Sequence, residues 1–297
     1  MTKSLLMLLC LSGISCGKSV KVTVVGEDGS AVEGATVVVW SIGSNKSKDQ
    51  KFEGRTSNKG FATVEARDDA RRLHIYIEKK GYYKNSYRHK DGTAISAKNK
   101  SIINVKAVLR KKIKPLPLFV REYRVYPPVN RQKLGFDFEV GDFVAPHGKG
   151  KTTDVFFKVI SEHQDSFHYN YELNITFPHE KDGIQHFVFS RDDIVSELKS
   201  SHLAPETGYK IQFQRKSSSK GRKSKTNAVR FRNHWMRVRT KTDEKGNIIS
   251  ANYVKIYGDF PDIVYYFNPT PNDRNLEFDP SGNLSKNLEN KHRKFAP

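Results

Sequence analysis

The sequence predicts an all-β protein built as two antiparallel β-sandwich domains, the C-terminal one larger and carrying one short helix. Three observations support this: short runs of alternating apolar and polar residues recur along the chain, Gly, Asn and Asp turns separate them, and the prolines of "KKIKPLPLF" divide them into two sets. A period of two places successive side chains on opposite faces of a strand, so each run reads as a half-buried strand.

The first 15 residues read differently. Lys3 precedes the apolar run Leu5 to Leu11, and the small residues Ser12 and Gly13 follow, which is the three-part layout of a secretory signal peptide. The run is too short for a membrane-spanning helix. Gly13-Ile14-Ser15-Cys16-Gly17 also fits the G-x-S-x-G pattern of hydrolases, but that elbow needs a strand before it and a helix after it. Gly13-Ile14-Ser15-Cys16 resembles the lipobox of bacterial lipoproteins. The resemblance implies cleavage before Cys16, lipidation of Cys16 and a membrane anchor in the bacterial cell envelope. It departs from the family at Gly13, where leucine is usual, and Leu11 lies two places further back. Plain secretion after ordinary cleavage, and an uncleaved anchor, remain open alternatives.

No cysteine follows Cys16, so a disulfide framework, a thiolate zinc site and a cysteine nucleophile are excluded from the mature chain. The formal net charge is +20, of which Lys3 supplies one. Such a charge favours anionic partners: anionic polysaccharide, lipopolysaccharide or anionic lipid. Nucleic acid is disfavoured for an exported chain. General basicity of exported proteins is the competing explanation.

The first domain is expected over residues 16–112. Val20, Val22 and Val24 alternate with Lys21 and Thr23, and a turn follows at Asp28-Gly29. The run Thr36 to Trp40 is short and β-branched, and Leu73, Ile75 and Ile77 and then Ile103, Val105, Ala107 and Leu109 alternate again. Asp28-Gly29, Val32-Glu33-Gly34-Ala35, Thr56 to Gly60 with Phe61, and Gly81-Tyr82 follow in the order of one family's marks. On them the segment resembles the carboxypeptidase regulatory-like domain, a transthyretin-like (prealbumin-like) β-sandwich. The resemblance implies a fold and an extracytoplasmic setting; it implies no peptidase activity, because that module has no catalytic residues.

Pro115 and Pro117 read as a stiff connection, and the second domain is expected over 113–280. Tyr169, Tyr171, Leu173, Ile175 and Phe177 alternate clearly, and "QHFVF", "YKIQF", "VRFRNHWMRVRT", "ANYVKIYG" and "DIVYYF" are further strands. The helix is expected from Ser190, a capping residue with Asp193 three positions on, through Ile194 and Leu198, ending before Pro205. Residues 281–297 read as a basic, flexible tail. "GFDFEVGDFVAPHGKGK" and "FNPTPNDRNLEFDPSGNL" are similar to stretches of uncharacterised exported proteins with the same regulatory-like domain, which implies no mechanism.

No catalytic, cofactor or metal constellation stands out. Gly150-Lys151-Thr152 lacks the earlier glycine of a phosphate loop, with Ala145 at that position, and reads as a hairpin loop. His163 and His168 lack metal-ligand spacing. Asp273, Glu277 and Asp279 lack the order of a calcium loop and read as a solvated turn region. Asp192 and Asp193 suit the positive end of the expected helix.

The strongest functional feature is electrostatic. Residues 209–241 hold twelve Lys and Arg and no acid. "RKSSSKGRKSKT" reads as a flexible loop whose flanks form a hairpin, with Arg230 and Arg232 on one face and a bulge near Trp235. The candidate polyanion-binding residues are Arg215, Lys216, Lys220, Arg222, Lys223, Lys225, Arg230, Arg232 and Trp235. The expected function is therefore a non-enzymatic, lipid-anchored envelope or surface protein that binds polyanions or spaces partners. The alternative is a carbohydrate-binding or accessory module of an exported hydrolase system, which would need an aromatic platform, a solvent-exposed row of Tyr or Trp, on the second sandwich.

Overall fold

The computed structural model describes residues 17–43, 49–86, 95–188, 195–285, 295 and 297. The expected signal peptide and Cys16 lie outside the described residues, as do Asp192, Asp193 and most of the expected helix. The chain divides into two compact units: the first runs to Leu109 and takes in Val195 from later in the chain, and the second holds the other described residues from Arg110 onward. Both are all-β.

The first unit contains β1 (Lys18–Val25), β2 (Thr36–Ile42), β3 (Gln50–Arg55), β4 (Phe61–Ala66), β5 (Arg72–Glu78), β6 (Asn85–Ser86), β7 (Ile95–Ser96) and β8 (Ile102–Val108). One sheet runs β4-β1-β8 and the other β6-β5-β2-β3, with β7 also on β5. Val20, Val22 and Val24 face Val37, Val39, Leu73, Ile75 and Ile77 in a shared core. The β1–β8 pair is parallel, not antiparallel. Long connections separate these two strands, which is what a parallel pair requires.

The sequence marks of this unit bond to one another. The Thr56 hydroxyl accepts the Ala35 amide at 2.8 Å and donates to the Val32 carbonyl at 2.6 Å, and the Gly34 amide donates to the Thr56 carbonyl. Gly60 has φ +73°, and a Cβ there would lie 2.5 Å from the Val24 carbonyl oxygen. Only glycine fits such a position without strain.

After Leu109 come β9 (Leu116–Arg124), β10 (Lys133–Asp137), β11 (Asp142–Phe143), β12 (Val155–Asp165), β13 (His168–Thr176), β14 (Gly183–Val188), β15 (Val195–Ser196), β16 (Gln212–Lys220), β17 (Lys223–Thr226), β18 (Arg232–Thr242), β19 (Ile248–Tyr257), β20 (Asp262–Asn268) and β21 (Phe278–Asn283). One sheet of the second unit runs β11-β10-β12-β13-β16-β17, and the other β14-β18-β19-β20-β9-β21. Phe136, Phe138, Phe157, Leu173 and Ile175 of the first pack against Met236, Val254, Ile256, Tyr265 and Phe267 of the second. Ring centroids such as Phe138 and Tyr265, 5.0 Å apart at 64°, adopt the edge-on geometry that aromatic quadrupoles favour.

Four expectations are corrected. No helix occurs among the described residues: Val195 and Ser196 are strand, and Leu198 is buried without helical neighbours. Pro117 lies inside β9 rather than in a linker. Its missing N–H is harmless there, because β9 pairs antiparallel with β20 only from Phe119 onward. The expected tail is partly structure, since residues up to Asn283 belong to β21 and Phe295 is buried with Leu118, Val120, Tyr266 and Phe278 on the outer side of the second sheet. β9 and β21 are also parallel.

Candidate functional site

β13 pairs with β16 over nine positions, from Thr176 opposite Gln212 to His168 opposite Lys220. β16 then turns at Gly221-Arg222 into β17, with Lys220 opposite Lys223 and Ser218 opposite Lys225. Gly221 takes φ +64°, the left-handed conformation that a two-residue hairpin turn demands. Opposed residues share a face. Lys216, Lys220, Lys223 and Lys225 therefore lie together on the outer face, and Arg222 occupies the turn.

The segment read as a flexible loop is thus itself a hairpin. The flanks expected to pair do not: β16 and β18 belong to different sheets. The register change also lies further on, between Val238 and Lys241, where Arg239 has φ +56°, rather than at Trp235.

The basic residues separate into two groups. Lys216 reaches the Glu172 carboxylate at 3.2 Å, and that carboxylate, held low chiefly by the Asn174 side-chain amide, stays charged. Lys220, Arg222, Lys223 and Lys225 make no ion pair with a described residue. Lys220, Lys223 and Lys225 border an open groove of about 570 Å³ whose other walls include Glu162, His168 and Tyr169.

Arg215 and Arg232 lie elsewhere and act on the fold. Arg215 Nε is 3.5 Å and Arg232 Nη1 3.8 Å from the Asp259 carboxylate, and Arg215 also donates to Thr226 Oγ1 and Asn227 Oδ1 at the foot of the hairpin. The fully buried His234 completes this cluster, its Nε2 3.2 Å from Asp259. Burial holds His234 below the usual histidine range, against the pull of Asp259. Burial pushes Asp259 up, but the hydrogen bond to His234 and the two arginines outweigh it and keep the carboxylate below its ordinary value. Arg230 lies over the Phe231 ring at 4.8 Å. Trp235 stacks on Phe187 with centroids 3.8 Å apart, so its face is occupied by the protein.

The Gly-Lys-rich stretch between β11 and β12 is closed around protein carboxylates. Asp137 Oδ2 accepts the amides of Lys151 and Thr152, and Asp142 accepts those of Phe143 and Lys149. The donors that would hold a phosphate are engaged. His163 is exposed, and His168 Nδ1 lies 3.0 Å from Asp165. Asp273 and Asp279 accept amides of their own turns, whereas Glu277, read as solvated, is fully buried and accepts the amides of Ile113 and Lys114.

Two features escaped sequence reading. Lys255 is fully buried, donating to the Leu276 carbonyl at 2.7 Å and lying 4.4 Å from the Tyr266 ring centroid. Phe167, in the turn between β12 and β13, is 63% exposed beside the basic hairpin.

The chain matches one family model, Domain of unknown function (DUF7382), over residues 14–65. No curated protein matches it. Among solved structures, a 9R-lipoxygenase from Cyanothece aligns at 7% identity with a TM-score of 0.24, covering 84% of this chain and 44% of that one. The shaft pilin SpaA from Lactobacillus rhamnosus GG aligns at 10% identity with a TM-score of 0.20, covering 88% and 94%. The chain thus spans less than half the length of the lipoxygenase, and likenesses this distant carry no argument about fold or function. Among the described residues, no helix is long and apolar enough to cross a membrane.

Proposed function

We propose that this chain is a non-enzymatic, exported envelope protein, lipid-anchored at Cys16, that binds polyanionic partners through the β16–β17 hairpin. The observation that supports the reading is the clustering of Lys220, Arg222, Lys223 and Lys225 at one hairpin end without ion-pair partners among the described residues. Surface cations clustered with one sign attract anions at long range. Tyr253, Tyr257, Tyr265 and Tyr266 of the second unit are buried and so unavailable to a sugar-stacking platform there, whereas Tyr126 and Phe167 are exposed.

Replacing Lys220, Arg222, Lys223 and Lys225 together with Ser is expected to weaken retention on a heparin-like resin more than replacing four exposed lysines elsewhere. Equal losses would reduce the effect to bulk charge and defeat the reading. The fold should survive, since such exposed substitutions change stability by about 0.5 kcal/mol or less each.

A carbohydrate-binding module is the second reading. On the first unit, Trp40 pairs with His74 across β2 and β5, and Tyr76 is the next residue on that face. Trp40 and Tyr76 are 39% and 37% exposed. A row of half-exposed rings is the surface on which sugars stack. Binding to neutral polysaccharide that Trp40→Ala abolishes would favour this reading.

A further inference from the structure

We propose that the joined tips of the β12–β13 and β16–β17 hairpins seat on an anionic lipid bilayer, with Phe167 entering between the headgroups. The inference rests on the polyanion reading above and commits it to one partner. The Gly221 amide donates to the Phe167 carbonyl at 2.9 Å, so the two turns are fixed side by side. Asp165 Oδ1 accepts the amides of Phe167 at 2.7 Å and His168 at 2.8 Å, which closes the first turn on itself. The ring is left outside, where nothing in the second unit's core covers it.

A single exposed apolar residue is ordinary on a protein surface. The position of this one is not. It stands at a turn apex with Lys220, Arg222 and Lys223 around the adjoining turn; Asp165 is engaged by His168 and two amides, and Glu162, on the wall of the groove, is paired with Arg131. A soluble sulfated or phosphorylated chain is satisfied by the cations alone and gains little from a phenyl ring. An anionic bilayer uses both, because basic side chains meet the headgroup phosphates while an aromatic side chain buries apolar surface at the acyl boundary.

The test uses the full-length chain carrying Cys16→Ser, so that no acyl group at residue 16 contributes, and vesicles of phosphatidylcholine with or without phosphatidylglycerol. Sedimentation should show binding to the vesicles with phosphatidylglycerol and little to phosphatidylcholine alone. Phe167→Ser should weaken vesicle binding roughly tenfold and leave heparin retention unchanged. Replacing Lys220, Arg222 and Lys223 with Ser should weaken both, by about fivefold per cation on vesicles. Phe167→Trp should give a blue-shifted emission change with anionic vesicles that the unsubstituted chain lacks.

Vesicle binding of Phe167→Ser equal to that of the parent, or no spectral change for Phe167→Trp, overturns the bilayer proposal. If the triple variant still loses heparin retention in that case, the polyanion reading stands and its partner is a soluble or surface polyanion. If the triple variant keeps both activities, both readings fail.

Discussion

Arg239 Nε donates to Asp154 Oδ1 at 2.6 Å, across the two sheets of the second unit, onto a carboxylate with no exposed surface. The bulge in β18 places the guanidinium there, and it also meets Glu139 at 3.0 Å and Asp137 at 3.4 Å. Burial pushes Asp154 up to about 6, against the lowering effect of Arg239. Arg239→Ala should therefore destabilise the second unit by about 3 kcal/mol, because it strands a buried carboxylate. Urea unfolding measures this. A loss under about 1 kcal/mol would show that the carboxylates protonate or hydrate without cost.

In the first unit, Thr56→Val keeps the shape and removes the hydroxyl. The Ala35 amide would lose its acceptor and the Val32 carbonyl its donor, at a cost of about 1–3 kcal/mol for a buried polar group left unpaired. Thr56→Ser should restore most of it. Equal stability of the Val and Ser variants would assign the position to packing and not to the hydrogen bonds.

Lys255 makes a pH prediction with a definite sign. Burial lowers its pKa well below 10.5, and Glu277 opposes that only in part. Between the folded and unfolded values the unfolded chain binds more protons, so this residue makes stability rise with pH up to about 10.5. Burial raises Tyr266 well above its usual value of 10, with a smaller push from Tyr257. Its phenol ionises first in the unfolded chain, so stability should fall again above that pH. Denaturation midpoints of the parent should thus climb as the pH rises toward about 10. Lys255→Met should flatten that climb. An unchanged slope would mean that Lys255 stays protonated in the fold.

These residues also show what sequence pattern conveys and what it does not. Val20, Val22 and Val24, or Tyr171, Leu173 and Ile175, lie where alternation puts them, because one buried face is a local property of a strand. The same alternation places Lys255 opposite Val254 and Ile256, on the outer face. That face is buried because distant segments cover it: Leu276, Phe278 and Phe295 from the far end of the chain, and Lys199 and Ser200, whose amides reach the Tyr257 hydroxyl. The basic stretch was legible as charge, but nothing local marks Arg215 and Arg232 as partners of Asp259. Phe167 carries no signal at all in "DSFHY"; its meaning comes from a neighbouring turn more than fifty residues away. Pairings between distant segments are the information that local periodicity lacks.

The lipid anchor at Cys16 is decided by mass. The parent chain should recover in the membrane fraction as a species beginning at residue 16 and heavier by a diacylglyceryl group, and Cys16→Ser should lose the added mass and the membrane retention together. A soluble, unmodified chain cut at the same bond would make this a secreted protein, and membrane contact would then depend on the hairpin tips alone. The two contributions separate by salt. Acyl anchoring is apolar and resists it, whereas attraction of Lys220, Arg222 and Lys223 to a charged surface is screened beyond about 10 Å at 0.1 M ionic strength. Parent protein released from membranes by salt alone would therefore count against an anchor at Cys16, whatever the hairpin contributes.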